Sequence, residues 1–358
     1  MSVWTEFLQN KKFEIKDDYG IFLHEFRTPM FFSTEDDLMT YISDTDLKEI
    51  LYIKFKEDEN FKLFGSEKKH QEIINSTEKK KFKNSFLWFI VILIGSLVYH
   101  YFVKEIDFKE LKLFIIIGGV FPITEMFFEY RNLTDVSSQK HQKFIENSIF
   151  SFWLQKSNTK FFAYLIPTIL ALSFGFQEIL TLGKSTQFNF VNEFALIKSR
   201  LDLGEYERLF TYLFVHYNIL HISAIFGALY FLSRIFLQFY NLSLFILIFA
   251  VTGIVGGLSS VIILPQEISY GASSSVLGIL GFLVVIVFKH KEVIPTNIIK
   301  DLVNGSLYVA VLGIAGYEFI NNAANFGGFI AGALIATTID NKDEIEHKIK
   351  KSLSKIKI

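Results

Sequence analysis

Long apolar stretches separated by polar segments dominate this chain. After a polar and charged segment that ends near residue 83, the apolar stretches lie at residues 86–103, 113–128, 161–176, 209–236, 242–264, 273–288, 298–317 and 322–339. A helix of about 20 apolar residues crosses the hydrocarbon core of a bilayer. With 51% hydrophobic residues and 41 phenylalanines among 358 residues, the chain has more apolar side chains than one soluble core could bury. The pattern predicts an all-α polytopic membrane protein.

The N-terminal segment has a different pattern. Runs at residues 12–16 and 50–55 alternate between apolar and polar positions, which indicates strands. Ser33 and Thr34 precede three acidic residues and then apolar positions, which is typical of a capped helix start. We expect a small soluble α/β domain. The pattern leaves open that this segment is a solvated appendage without a function of its own.

Lysine clusters predict the topology. The clusters are Lys79, Lys80, Lys81 and Lys83; Lys140, Lys143, Lys156 and Lys160; Lys289 and Lys291; and the lysines from Lys342 to Lys357. If every apolar stretch crosses the bilayer once, all four clusters lie on one side, which places both termini in the cytoplasm. This agreement supports counting the second stretch, which is the weakest because it contains Pro122 and Glu125.

Four regions are therefore expected. They are a cytoplasmic soluble domain at 1–83, two extra N-terminal transmembrane helices with a linker at 84–160, a six-span core at 161–340, and a basic cytoplasmic tail at 341–358. The tail has isoleucine or leucine at positions 345, 349, 353 and 356 among its lysines, so it is interpreted as a solvated end or as an amphipathic helix on anionic lipid.

Composition excludes several classes of function. The net charge of −1 gives no basic field for nucleic acid, and the absence of cysteine excludes disulfides, thiolate metal sites and a cysteine nucleophile. No metal or other cofactor is expected. The first residues do not resemble a cleaved signal, so the internal spans should direct insertion. The abundance of Phe, Ile, Lys and Asn is typical of an AT-rich bacterial genome, and we expect a multi-pass protein of the bacterial inner membrane.

Three polar clusters interrupt the last six apolar stretches. Polar groups inside a membrane are costly and often functional. The clusters occupy residues 205–221, residues 271–275 with Gly278 and Gly281 after them, and residues 321–332. Together, in this order, they resemble the rhomboid family of intramembrane serine proteases over about residues 160 to 340. The resemblance implies a rhomboid-like six-helix core.

The resemblance implies a serine nucleophile at Ser273 and a histidine base at the position of Asn325. A serine hydroxyl needs a base within hydrogen-bond reach. An asparagine amide cannot take the proton and return it to a leaving amine, and the polar residue four positions earlier is Asn321, which is not a carboxylate. The sequence therefore predicts a site without its proton shuttle.

The oxyanion side of the site is also incomplete. The resemblance assigns His221 and Ser273 to it, with His216 as a supporting histidine one turn earlier. The asparagine donor expected four residues after His221 is Ile225. Loss of one such donor typically lowers the rate by about 100-fold.

The framework residues of the family are present. Arg208, after Glu205 and Tyr206, matches the motif that holds the first external loop. The supporting glycines are Gly271, Gly278, Gly281, Gly327, Gly328 and Gly332, and they allow helices to approach closely. The same residues also have structural interpretations: Ser273–Ser275 as packing residues, the two histidines as interfacial groups, and Asn325 as a donor between helices.

Two hypotheses follow. The first is a rhomboid-fold protein, catalytically impaired, that binds transmembrane segments of client proteins within the lipid bilayer. The alternative is an active intramembrane serine endopeptidase that uses Ser273 with a non-standard base, either His221 or His216 or a relaying water. A transporter or channel is disfavoured because no span has a paired charge set or a broken-helix repeat.

Overall fold

A computed structural model describes the chain at residues 13–23, 28–103, 123, 146, 148–150, 153–154, 159–181, 187–264, 268–315, 320–339 and 342–354. The apolar stretch predicted at 113–128 lies outside the described residues, apart from Ile123.

The N-terminal segment folds as a small sheet with one covering helix. Its elements are β1 Tyr19–Leu23, β2 Met30–Phe32, α1 Glu35–Asp44, a 3-10 turn Leu47–Glu49, β3 Ile50–Lys54 and β4 Lys62–Leu63. The sheet is antiparallel in the order β2-β1-β3-β4, and in the central pair Ile21 lies opposite Ile53. Both of these side chains are fully buried with Leu38 and Ile42 of α1, which forms a separate hydrophobic core.

Two of the three local predictions for this segment match the structure. The strand predicted at 50–55 is β3, and Thr34 caps α1 by accepting a hydrogen bond from the backbone of Asp37. The strand predicted at 12–16 is wrong for the described residues 13–16, which have no strand structure. Phe13 packs its ring against Phe22, 4.9 Å between centroids, without joining the backbone ladder. The side chain of Phe13 therefore contributes to packing, while its backbone forms no strand pairing.

A single 36-residue helix, α2 Lys68–Val103, leads from this unit into the first apolar stretch. Lys81 donates to the carbonyl oxygen of Thr45 at 2.6 Å, which ties the helix to the end of α1.

The remaining helices all lie after residue 159. They are α3 Lys160–Ala163, α4 Leu165–Thr181, α5 Gln187–Phe194, α6 Lys198–Leu201, α7 Arg208–Thr211, α8 Ile219–Phe239, α9 Leu242–Ile263, α10 Ser273–Lys289, α11 Thr296–Ala315, α12 Asn322–Thr337 and α13 Lys342–Ser354. Within the described residues, the segments Phe161–Leu180, His221–Phe239 and Leu242–Ile263 are long and apolar enough to cross a membrane, and Ser273–Lys289 is a shorter apolar helix. The chain is thus a mostly helical integral membrane protein.

The stretch predicted as one span at 209–236 is divided in the structure. Helix α7 and a 3-10 turn, Tyr212–Phe214, come first, and α8 begins only at Ile219. Asn218 is the reason for the late start, because it is extended and its side chain accepts the backbone N–H of His221 as a helix cap. The apolar residues before it fold as a buried segment and not as a longer helix.

Glycines bring α9, α10 and α12 into close contact. A Cβ on Gly332 would lie within van der Waals overlap of the Gly278 carbonyl oxygen, and a Cβ on Gly328 would overlap the Ser274 carbonyl oxygen. Gly327 faces the Ser259 side chain of α9 in the same way. The backbones therefore touch where side chains normally separate helices, and this packing fixes α12 against the start of α10.

The C-terminal helix α13 packs on protein. Ile345 and Ile349 are fully buried, in the same hydrophobic cluster as Phe239 at the end of α8. Lys348 donates to the Phe239 carbonyl oxygen at 2.9 Å. The structure therefore differs from both interpretations of the tail at these two positions, because Ile345 and Ile349 are covered by the chain itself and do not meet water or lipid.

Candidate functional site

A short segment, residues 268–272, leads to the serine expected to be the nucleophile. Ser269 exchanges two backbone hydrogen bonds with Leu196, and the N–H of Gly271 donates to the Tyr212 carbonyl oxygen at 2.9 Å. Gly271 has a φ of 97°, a conformation that glycine adopts without steric cost. Helix α10 then begins at Ser273, which is partly exposed. The turn is held from two sides and ends with Ser273 at the helix mouth.

The three consecutive serines have different surroundings. The hydroxyl of Ser274 is 2.9 Å from that of Tyr212, which itself donates to the Gly253 carbonyl oxygen. Ser275 donates to the Phe249 carbonyl oxygen at 2.7 Å. Both therefore serve helix packing. In the described part of the chain, no such bond engages the hydroxyl of Ser273.

His221 lies beside the turn. A Cβ on Gly271 would be 2.7 Å from Cε1 and 3.2 Å from Nε2 of His221, so the imidazole rests on the glycine backbone. The ring of His216 is 5.3 Å from that of His221 between centroids. The two histidines thus form a pair that reaches the segment before Ser273.

Gln177, which was not among the predicted site residues, holds the backbone of His216. The side chain of Gln177 in α4 donates to the His216 carbonyl oxygen at 2.7 Å and accepts the His216 N–H at 3.2 Å. Ser173, one turn earlier, donates to the carbonyl oxygen of Phe214. Gln177 directly follows the apolar stretch predicted at 161–176 and is a polar residue within the observed apolar segment Phe161–Leu180. Its target could not be read from the sequence because it lies about 40 residues away.

His216 lies in the loop before α8, and its environment makes it a weak base. Burial, together with the neighbouring His221, lowers the pKa of His216 to about 4, although the nearby Phe214 carbonyl favours the protonated ring. In the described structure neither of its ring nitrogens has a well-aligned hydrogen-bond partner. His216 is therefore neutral at pH 7 and does not engage the hydroxyl of Ser273.

Asn325 occupies the position where a base was expected. It lies in the first turn of α12, is 8% exposed, and its Oδ1 has no hydrogen-bond partner among the described residues. Gly328, one turn further along the same face, touches the backbone of Ser274. The side chain of Asn325 is thus on the helix face directed to the start of α10. The interpretation of Asn325 as a donor between helices has no observed acceptor for support, since no hydrogen bond of its side chain is seen in the described part.

The position of the missing oxyanion donor is apolar. Ile225 is 7% exposed and belongs to the hydrophobic core. Its side chain has no hydrogen-bond donor. One turn earlier, the imidazole of His221 approaches the Gly271 turn.

Arg208 fastens the segment before the site. It is 3% exposed, forms an ion pair with Glu205 at 2.6 Å, and donates to the carbonyl oxygens of Asn192 and Ala195 at 2.8 Å each. The hydrogen bond from Arg208 lowers the pKa of Glu205. The guanidinium thereby joins α7 to the end of α5.

The described residues contain no group of three or more His, Cys, Asp or Glu side chains placed to hold a metal ion.

Comparison with known proteins agrees with this geometry. The Rhomboid domain description matches residues 203–341. The chain is 28% identical over 214 residues to the protein named Rhomboid protease GluP from Bacillus subtilis (strain 168), a match that covers 58% of this chain. It spans 40% of the length of that relative. These matches show that residues 203–341, which include the turn at Gly271 and the helix that follows it, are similar to a Rhomboid domain.

Proposed function

We propose that this rhomboid protein is a catalytically impaired scaffold that binds transmembrane segments of client proteins within the bilayer. The observation that carries the proposal is Asn325. It stands in the first turn of α12, where the family has its histidine base, with a buried Oδ1 that accepts no hydrogen bond from Ser273 or from any other described residue.

The chemistry explains the impairment. The Ser273 hydroxyl must lose a proton to attack a carbonyl carbon, and the leaving amine must later gain one. The amide of Asn325 does neither at neutral pH, because its oxygen is far too weakly basic. A positioned base typically raises the reaction rate by roughly 100- to 10,000-fold. Ile225 in place of an oxyanion donor removes roughly another 100-fold.

The scaffold itself supports a binding role. Arg208 still fastens the external segment, and Gly328 and Gly332 still hold α12 against α10. Phe326, next to Asn325, is 67% exposed and presents an apolar surface beside the site. A protein that keeps the packing of the site without its base is suited to hold a client helix without cutting it.

The proposed organisation follows the sequence. It comprises a soluble cytoplasmic domain at 1–83, two extra spans within 84–160, a six-span core at 161–340 and a cytoplasmic tail at 341–358. The folded sheet before α2 and the lysine clusters support this arrangement. The bacterial relative supports placement in the cell (inner) membrane of a bacterium. The lysine clusters support the placement of both termini in the cytoplasm.

One observation favours the alternative, an active serine endopeptidase. His221 already rests on Gly271, two residues before Ser273. The alternative requires that a rotation of the ring, or one bridging water, connects the imidazole to the Ser273 hydroxyl. His216 is a poorer candidate, because a base with a pKa of about 4 has little driving force to accept the proton.

A fluorophosphonate probe separates the two functions, because it reacts covalently only with an activated serine. The purified full-length protein in detergent would be compared with Ser273→Ala and Asn325→His. We expect no labelling of the wild type and Ser273-dependent labelling of Asn325→His. Labelling of the wild type that disappears in Ser273→Ala would establish the endopeptidase instead.

Client binding has its own measurement. A single-span reporter protein would be co-expressed with each variant, and both its cleavage and its co-purification would be followed. We expect the wild type to retain the intact reporter and Asn325→His to cleave it. Failure of the wild type to retain any single-span reporter would overturn the scaffold proposal, whatever the probe shows.

A further inference from the structure

We infer that Asn321 is a positioning residue whose side-chain amide ties the turn before Ser273 to the start of the helix that carries Asn325. The inference rests on the proposed roles of Ser273 and Asn325 and adds the group that sets their relative position. The sequence alone does not indicate which residues form hydrogen bonds with the Asn321 side chain.

Three elements meet at this one amide. Its Nδ2 donates to Ser260 Oγ at 2.6 Å, near the end of α9, and to Ser269 Oγ at 2.8 Å, in the turn that leads to Ser273. Its Oδ1 accepts the backbone N–H of Ala324 at 3.0 Å and so caps α12. Both amide hydrogens and the carbonyl oxygen of Asn321 are therefore in use.

The two serines make this junction specific. Their hydroxyls are 2.7 Å apart, and Ser260 and Ser269 are 1% and 3% exposed. A buried hydroxyl that loses its partner carries the full cost of desolvation. Removal of the Asn321 amide therefore takes one donor from each of these two buried hydroxyls and leaves only the bond between them, and a replacement donor can reach Ser269 only if the turn moves.

A second contact completes the geometry. Gly328 of α12 touches the carbonyl oxygen of Ser274, beyond the turn. Residues 269 and 274 flank Ser273, so α12 is attached to the chain on both sides of it. The Gly328 contact sets how closely the helices approach, and the Asn321 junction sets where the preceding turn lies relative to the first turn of α12.

Asn322 provides a matched control. It is the next residue, it is also an asparagine at the start of α12, and its amide donates to the Gly313 carbonyl oxygen of α11 at 2.9 Å. It makes a comparable bond to a different element. Asn321→Ser is the informative variant, because serine is a good helix cap but its hydroxyl is too short to reach both serines.

Hydrogen exchange of the purified full-length protein tests the junction without any catalysis. In Asn321→Ser and in Ser269→Ala, we expect amide exchange at residues 268–272 to become about ten-fold faster, with unchanged exchange in the sheet of β1 to β4. The double variant should accelerate exchange by less than the product of the two single effects, because both single changes remove the bond between Asn321 and Ser269. Asn322→Ala should leave residues 268–272 unchanged.

A second readout distinguishes positioning from general stability. The rate of Ser273-dependent fluorophosphonate labelling would be followed in whichever background labels, the wild type or Asn325→His. Asn321→Ser should lower that rate about ten-fold at every pH, with the pH profile unshifted, and Asn322→Ala should not. Equal exchange at residues 268–272 in Asn321→Ser and Asn322→Ala would overturn the inference, and this result is independent of whether either background labels.

Discussion

The imidazole of His221 rests on the backbone of Gly271, so close that a Cβ on the glycine would be 2.7 Å from Cε1 of the ring. The contact joins the first turn of α8 to the turn before Ser273. This contact is one reason why residue 271 must be glycine, and its φ of 97° is a second. Any side chain at position 271 would be strained and would push the ring away.

Gly271→Ala tests this contact. Left-handed backbone at a residue other than glycine costs about 1–3 kcal/mol, and the displaced imidazole adds to that cost. We expect a lower thermal midpoint in detergent and, in the Asn325→His background, loss of fluorophosphonate labelling. Gly227→Ala in α8 is the control, because its Cβ would meet no atom within 4 Å. A Gly271→Ala protein as stable as the Gly227→Ala protein would contradict the contact.

Gly332→Ala tests the close packing of α10 and α12. The new methyl group would overlap the Gly278 carbonyl oxygen, and backbone atoms cannot rotate away as a side chain can. The helices must separate, and we expect this to lower the free energy of unfolding by about 1–3 kcal/mol, as overpacking does in other cores. Gly305→Ala in α11 has open space around its Cβ and should not destabilise. Thermal unfolding of both variants is the measurement, and equal midpoints would exclude the packing described here.

Gln177→Ala tests the attachment of the loop at His216. The change removes both hydrogen bonds to the His216 backbone and leaves a buried N–H and a buried C=O unpaired. We expect the free energy of unfolding to fall by about 1–3 kcal/mol for each unpaired group that water cannot reach. We also expect faster amide exchange at residues 214–218. Ile179→Ala, at a side chain that is 65% exposed on the same helix, serves as the control and should leave that exchange unchanged.

His70 gives the N-terminal sheet a pH dependence. Burial lowers the pKa of His70 below its ordinary value of 6.5, and it does so against the opposing effects of Glu67 and the Leu63 carbonyl oxygen. Because the folded pKa is the lower one, the unfolded state binds the proton more tightly. The stability contribution is therefore complete above about pH 6.5 and declines as the pH falls below it.

Amide exchange at residues 50–64 measures this effect. It should accelerate between pH 7 and pH 5, after correction for intrinsic exchange, and His70→Phe should abolish the pH-dependent part. Phenylalanine can keep the ring packing of His70 on Phe55 and Phe64. An unchanged pH dependence in His70→Phe would assign it to another group.

The sequence predicted much of the local structure because local rules decided it. Thr34 caps α1, and the apolar stretches that fall within the described residues are helical over most of their length, since a bilayer leaves the backbone few alternatives. The strand predicted at 12–16 is wrong because a short alternating run does not specify a pairing partner. The span predicted at 209–236 is wrong at its start because hydropathy does not show that Asn218 begins the helix.

By itself, the sequence determined the membrane character of this protein, the order of its polar clusters and the absence of a basic side chain at position 325. Residue identity is sufficient for these, since an asparagine at 325 lacks a basic nitrogen in any fold. Only the tertiary structure decided which polar groups are engaged: Gln177 with His216, Asn321 with Ser260 and Ser269, and the two isoleucines of α13 against the core. These partners are far apart in the chain, and a hydrogen bond or a buried contact depends on distances that only the packed helices set.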